Sequence, residues 1–251
     1  MRPSLQSGLM IHPTAIVDPG AKLGKGVLIG PFAVVEAGVT LGDGVEVHPF
    51  ARIGGPPGHV KDKGEGCTLE VGPRTILREH VTLHRGSKVG TGKTVIGADC
   101  YFMTGSHAGH DCRVGNGVIL TNGAVLGGHC EVEDFAIFGG LAGVHQYCRI
   151  GSMAMVAGAA ILVQDVPPYC MAAGNRARLA GLNEVGLERR GVADAAIKAL
   201  RKAYRLIFRT AGKRDDLISR ARGEFGEVKE VAHFLDFISA SKRGVARHGR
   251  D

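Results

Sequence analysis

Tryptophan is absent from the 251 residues, and only 4 Tyr and 9 Phe supply rings. A core of large interlocking aromatics is therefore excluded. The 39 Gly point the other way, to a narrow, regular interior that the backbone approaches closely. There is no run of 18 apolar residues, which excludes a transmembrane helix and stable membrane insertion. The first ten residues are polar, include Pro3 and Gly8, and lack the apolar stretch of a signal peptide. A cytoplasmic protein is expected. The 6 Cys stand at no spacing that demands disulfides. Most of the chain also lacks net charge: residues 1–167 hold 13 Lys/Arg against 14 Asp/Glu, whereas residues 168–251 hold 18 against 10. The basic surplus belongs to the C-terminal third, where it would attract an anionic partner.

What the sequence has in abundance is a period of six. Stepping by six from Ile11 gives Val17, Leu23, Ile29 and so on to Ile53. The step returns at Val71, Leu77, Leu83 and Val89, and after one extra residue runs from Ile96 to Leu162. Of these 24 positions, 23 hold Ile, Val, Leu or Phe, and Gly follows in 12. Six matches neither an amphipathic helix nor an alternating strand. It fits a chain that turns a corner every six residues, so that three sides make an 18-residue coil and stacked coils pair as parallel strands. The fifth residue of each hexad is small, and Cys100, Cys112, Cys130 and Cys148 all occupy that slot. They read as inward hydrophobes rather than metal ligands.

These patterns divide the chain into an N-terminal extension (1–10), a β-solenoid (11–167) with a projecting loop (54–70), and a helical C-terminal domain (168–251). In the last, Ile197, Leu200, Tyr204 and Ile207 form one helical stripe, and Val231, Phe234, Leu235 and Ile238 another.

The 18-residue coil also predicts which histidines stack. His110 is third in its hexad; adding 18 gives Gly128, and adding 18 again gives Gln146. His107, His129 and His145 flank this column. Imidazoles gathered on one edge suit proton transfer near neutral pH or zinc binding. Asp111 follows His110, and Gly128 offers an N–H that no side chain shields, useful to a developing oxyanion. His12, His48, His80 and His233 have no such neighbours and are expected to be structural.

The stretches His107-Ala-Gly-His110-Asp-Cys, Val144-His145-Gln146, Gln164-Asp-Val-Pro-Pro-Tyr and Glu188-Arg189-Arg190-Gly carry a more specific likeness. With them the chain resembles the UDP-N-acetylglucosamine O-acyltransferases that begin lipid A synthesis. The resemblance implies a left-handed parallel β-helix followed by a small α-helical domain, a homotrimer, and active sites between subunits. It implies a 3-hydroxyacyl donor carried as a thioester on the phosphopantetheine arm of acyl carrier protein, a UDP-sugar acceptor, and no metal or other cofactor. His110 would be the general base, Asp111 its partner and Gly128 the oxyanion donor. Lys61, His84, His107, His129, His145, Gln146, Asn183, Arg189 and Arg190 match substrate-contacting positions, and Gly158 matches the acyl-length position.

Two positions depart from the family pattern. His59 stands where Asp is usual and Val185 where Glu is usual, both where the acceptor is recognised. The alternative acceptor is accordingly a 3-amino analogue acylated on nitrogen. A zinc-dependent hydratase on the same solenoid is a second alternative. Nucleic-acid binding is not expected, because the basic tail has few aromatics on which bases would stack.

Overall fold

The structure, a computed structural model, describes residues 10–60, 62 and 65–249. The chain winds into a left-handed parallel β-helix with three flat faces. The first face has 10 strands, the second 8 and the third 7. Within each face the partners lie 18 residues apart: Ile119 pairs with Ile137 on the first, Val125 with Gly143 on the second, and Arg113 with Glu131 on the third.

Each hexad position has one physical task. The first carries the inward aliphatic, buried from Ile29 to Leu162 in nearly every coil. Each such side chain contributes about 1.5–3 kcal/mol by leaving water. The fourth turns the corner in the left-handed backbone region. Asp111 and His129 have φ of 60° and Tyr147 of 65°, while Gly26, Gly44 and Gly117 take the equivalent place in other coils. The fifth must be small because it points into the tight corner; Cys100, Cys112, Cys130 and Cys148 fill it as buried free thiols.

Two steps exceed 18. Ile53 pairs with Leu83, 30 residues on. Pairing resumes on the third face at Thr68, so the projecting loop spans 56–67 rather than 54–70. Leu77 pairs with Phe102, 25 residues on, which is 7 more than the coil of 18. The six-residue step alone implies a single extra residue and an inward Val89; instead Val89 is 65% exposed, and residues 85–92 form a second loop. Its aliphatic residue meets the six-residue step by coincidence.

The β-structure also continues past residue 167. Cys170–Ala173 extends the first face as a parallel strand and Arg178–Leu182 folds back on it antiparallel. Four helices follow: α1 (Glu184–Arg189), α2 (Asp194–Arg209), α3 (Arg214–Phe225) and α4 (Lys229–Ser239). The expected stripes of α2 and α4 are their buried faces. The chain then returns to the prism, where Asp165 accepts from Ser241 Oγ at 2.7 Å and Arg243 Nε donates to Val163 O at 2.9 Å. Among the described residues no helix is long and apolar enough to cross a membrane.

Candidate active site

The corner between the second and third faces gathers the histidines. His110 and Asp111 are third and fourth in one hexad, Gly128 and His129 in the next, Gln146 and Tyr147 in the one after. One coil step of about 4.8 Å therefore separates each pair from the next.

His110 Nδ1 lies 2.7 Å from Asp111 Oδ2. With Nδ1–H donating to the carboxylate, Nε2 keeps its lone pair. The His110 side chain is 12% exposed and that of Asp111 is fully buried. Burial pushes the Asp111 carboxyl up, but hydrogen bonds from Ser87, His110 and Thr91 outweigh it and hold the group well below the usual carboxylate range. Asp111 is thus a fixed anion behind the imidazole.

Gly128 stands against the open nitrogen. A Cβ built on it would lie 2.7 Å from His110 Nε2 and 2.9 Å from Cε1, so any side chain would displace the ring. Its N–H meets no acceptor among the described residues. The reason is general to the coil: the third hexad position is prolyl at Pro13, Pro31, Pro49 and Pro73, which have no N–H at all. The fold leaves that donor unused, and at Gly128 it is both unused and beside a base.

Other expected residues join this edge. His129 packs edge-on against His110 with centroids 4.9 Å apart, and Nε2 lies 3.8 Å from Asp111 Oδ2. His107 Nδ1 is 2.8 Å from Thr82 Oγ1, and its ring meets His84 at 4.7 Å. Burial pushes His84 down to about 4, with His107, His110 and Arg52 adding to the shift. His59 approaches His110 edge-on at 6.2 Å. His145 lies two coils along from Gly109, with Nδ1 2.9 Å from Arg243 Nη2; Gln146 beside it is exposed. Lys61 falls outside the described residues.

The remaining expected positions lie on other corners of the same prism. Asn183 is a structural cap: Oδ1 accepts from Gly186 N at 3.2 Å, and Nδ2 donates to Met153 O at 2.9 Å. Arg190 lies over the Phe135 ring at 3.9 Å, and Arg189 is exposed at the end of α1. Met153 and Phe135 belong to the corner between the third and first faces, and Gly158 to the one between the first and second. One chain does not bring these residues to His110.

Sequence reasoning missed two groups. Tyr147 stacks on His129 with centroids 4.4 Å apart and planes within 6°, and is His129 plus 18, so the column arithmetic contained it. Ser87 and Thr91, which hold Asp111, sit in a loop outside the repeat and gave no periodic signal.

His110, Asp111 and His129 offer ligand atoms within 4.8 Å of one another, a spacing that a metal could bridge. The carboxylate, however, already accepts from Ser87, Thr91 and His110, which occupies its lone pairs. The geometry therefore favours a base and its partner over a ligand set.

Comparison with known proteins agrees. Residues 165–246 match the family model described as UDP N-acetylglucosamine O-acyltransferase, domain 2, and residues 20–55 and 93–128 match the bacterial transferase hexapeptide model. A relative from Burkholderia orbicola, named acyl-[acyl-carrier-protein]–UDP-N-acetylglucosamine O-acyltransferase, is 43% identical over 78% of this chain and 76% of its own length. The UDP-N-acetylglucosamine acyltransferase structure from Bacteroides fragilis superposes with a TM-score of 0.89 at 33% identity, covering 95% of this chain and 100% of that one. LpxA from Acinetobacter baumannii gives 0.85 at 36%, over 95% and 100%. The repeat, the histidine corner and these similarities together show that the chain belongs to the acyl-[acyl-carrier-protein]–UDP-N-acetylglucosamine O-acyltransferase family.

Proposed function

We propose that this protein transfers a 3-hydroxyacyl chain from acyl carrier protein to the 3-hydroxyl of UDP-N-acetylglucosamine, the first step of lipid A biosynthesis. The observation that carries the reading is the His110 ring: Nδ1 is tied to buried Asp111, and Nε2 stands beside an unbonded Gly128 N–H.

The steps follow from that arrangement. Nε2 takes the proton from the sugar hydroxyl as its oxygen attacks the thioester carbonyl. Asp111 stabilises the imidazolium that forms, and the Gly128 N–H donates to the oxyanion. The C–S bond then breaks, and Nε2 returns the proton to the departing thiolate. A positioned base of this kind contributes roughly 10²–10⁴-fold in rate.

His84, His107, His129, His145 and Gln146 line the same edge as substrate contacts, with Lys61 on the adjoining loop. Arg189, Arg190 and Asn183 sit on a different corner, and a homotrimer would complete the site by setting one subunit's arginines against another's histidines. Guanidinium groups suit phosphate oxygens, and the basic C-terminal third suits an acidic carrier protein. Gly158, where a Cβ would meet only Gly140 backbone within 4 Å, leaves its corner open to an acyl chain. The protein acts in the cytoplasm and requires no cofactor.

The test offers UDP-N-acetylglucosamine and its 3-amino analogue with a set of 3-hydroxyacyl carrier proteins, with products read by mass spectrometry. An O-acylated nucleotide is expected. Acylation of the amino analogue alone would select the alternative acceptor, and no transfer to either nucleotide would overturn the reading.

A further inference from the structure

The seven residues that lengthen one coil to 25 fold directly over Asp111. Ser87 Oγ donates to Asp111 Oδ2 at 2.6 Å, and Ser87 N reaches both carboxylate oxygens at 3.1 and 3.2 Å. Thr91 N and Oγ1 donate to Oδ1 at 2.8 and 3.0 Å. From the strand beyond, Thr94 Oγ1 accepts from Asp111 N at 2.8 Å. Gly90 completes the fit, since a Cβ there would come within 2.4 Å of Asp111 Oδ2. Ser87 is fully buried. The loop is itself tied to the projecting loop, because Asp62 accepts from the N–H of Lys88 and, at 3.2 Å, from that of Val89.

We propose that Ser87 and Thr91 are positioning residues for acyl transfer, holding the Asp111 carboxylate so that it fixes the tautomer and orientation of His110. Neither touches the place where substrate would lie; both act through Asp111. A carboxylate in the left-handed backbone region has few local partners of its own, and this loop supplies donors to both of its oxygens. One Asp111 oxygen thereby stays aimed at Nδ1, and Nε2 stays a base. The inference rests on the acyltransfer reading.

Hydroxyl removal tests it through a double-mutant cycle. Ser87→Ala and Thr91→Val are each expected to lower kcat about tenfold, the worth of one charge-assisted hydrogen bond, with KM for both substrates unchanged. Thr91→Ser, which keeps the hydroxyl, is expected to restore the parent rate. In an Asp111→Asn background, Ser87→Ala and Thr91→Val are each expected to change kcat less than twofold. An equal loss in both backgrounds, or no loss in the parent, overturns the proposal. If Ser87→Ala fails to fold, the nearly isosteric Thr91→Val and Thr91→Ser pair decides alone. A parent enzyme that transfers no acyl group would instead count against the function proposed above.

Discussion

A methyl group at residue 128 is the sharpest perturbation available at this site. In Gly128→Ala the new Cβ would lie 2.7 Å from His110 Nε2, 2.9 Å from Cε1 and 3.1 Å from Cδ2. Ordinary contact begins at 3.4 Å, so the ring must retreat by at least about 0.7 Å. A misplacement near 1 Å costs about 10²-fold in rate, or roughly 2.7 kcal/mol in the barrier. Stability should barely change, because Gly128 is outside the left-handed region and its backbone accepts alanine. The substitution even removes about 0.4–1 kcal/mol of unfolded-chain entropy. Gly223→Ala, on exposed α3 with nothing within 4 Å, serves as the control and should leave activity unchanged. The assay is kcat for acyl transfer beside thermal unfolding. A folded Gly128→Ala enzyme within threefold of the parent would refute the placement of base and oxyanion donor.

Three further outcomes follow from the same structure. His84 is held down to about 4, below its ordinary 6.5, so the unfolded chain binds more protons between these values. Stability should therefore be retained above about pH 6.5 and fall as pH drops towards 4; His84→Gln should flatten that slope in urea titrations, and an unchanged slope would contradict the assignment. His233 has the opposite sign: the Glu133 carboxylate, 3.0 Å from Nε2, raises it above 6.5. Its contribution should be complete below pH 6.5 and be lost as pH rises through the raised value, so His233→Gln should narrow the stability difference between pH 6 and 9. Dialysis against a chelator should leave acyl transfer intact, and activity that is lost and then restored by zinc would revive the metal reading of His110, Asp111 and His129.

The repeat makes much of this legible. Because Ile, Val and Leu recur every six residues, the coil length follows, and with it the column of His110, Gly128 and Gln146. Periodicity fails where the chain leaves the coil. Val89 satisfies the six-residue step yet points to solvent, and the loop around it shows in the repeat only as one extra residue. Ser87 and Thr91 are invisible for the same reason: their value lies in hydrogen bonds to a residue more than one coil away. Asn183 is the converse case. A motif position expected to meet substrate is used by this chain to cap α1 and tie it to Met153. Arg189 and Arg190 have their expected exposure, but only a second subunit would bring them to the histidine corner.

The role of His110 as base is tested most directly by the rate of acyl transfer in His110→Ala, measured beside its thermal unfolding and oligomeric state. With the imidazole gone, Asp111 stays cradled by Ser87 and Thr91, so the prism should fold as before. The expected result is a folded protein whose kcat has fallen roughly 10²–10⁴-fold. A folded variant that retains most of its activity would show that His110 is not the base.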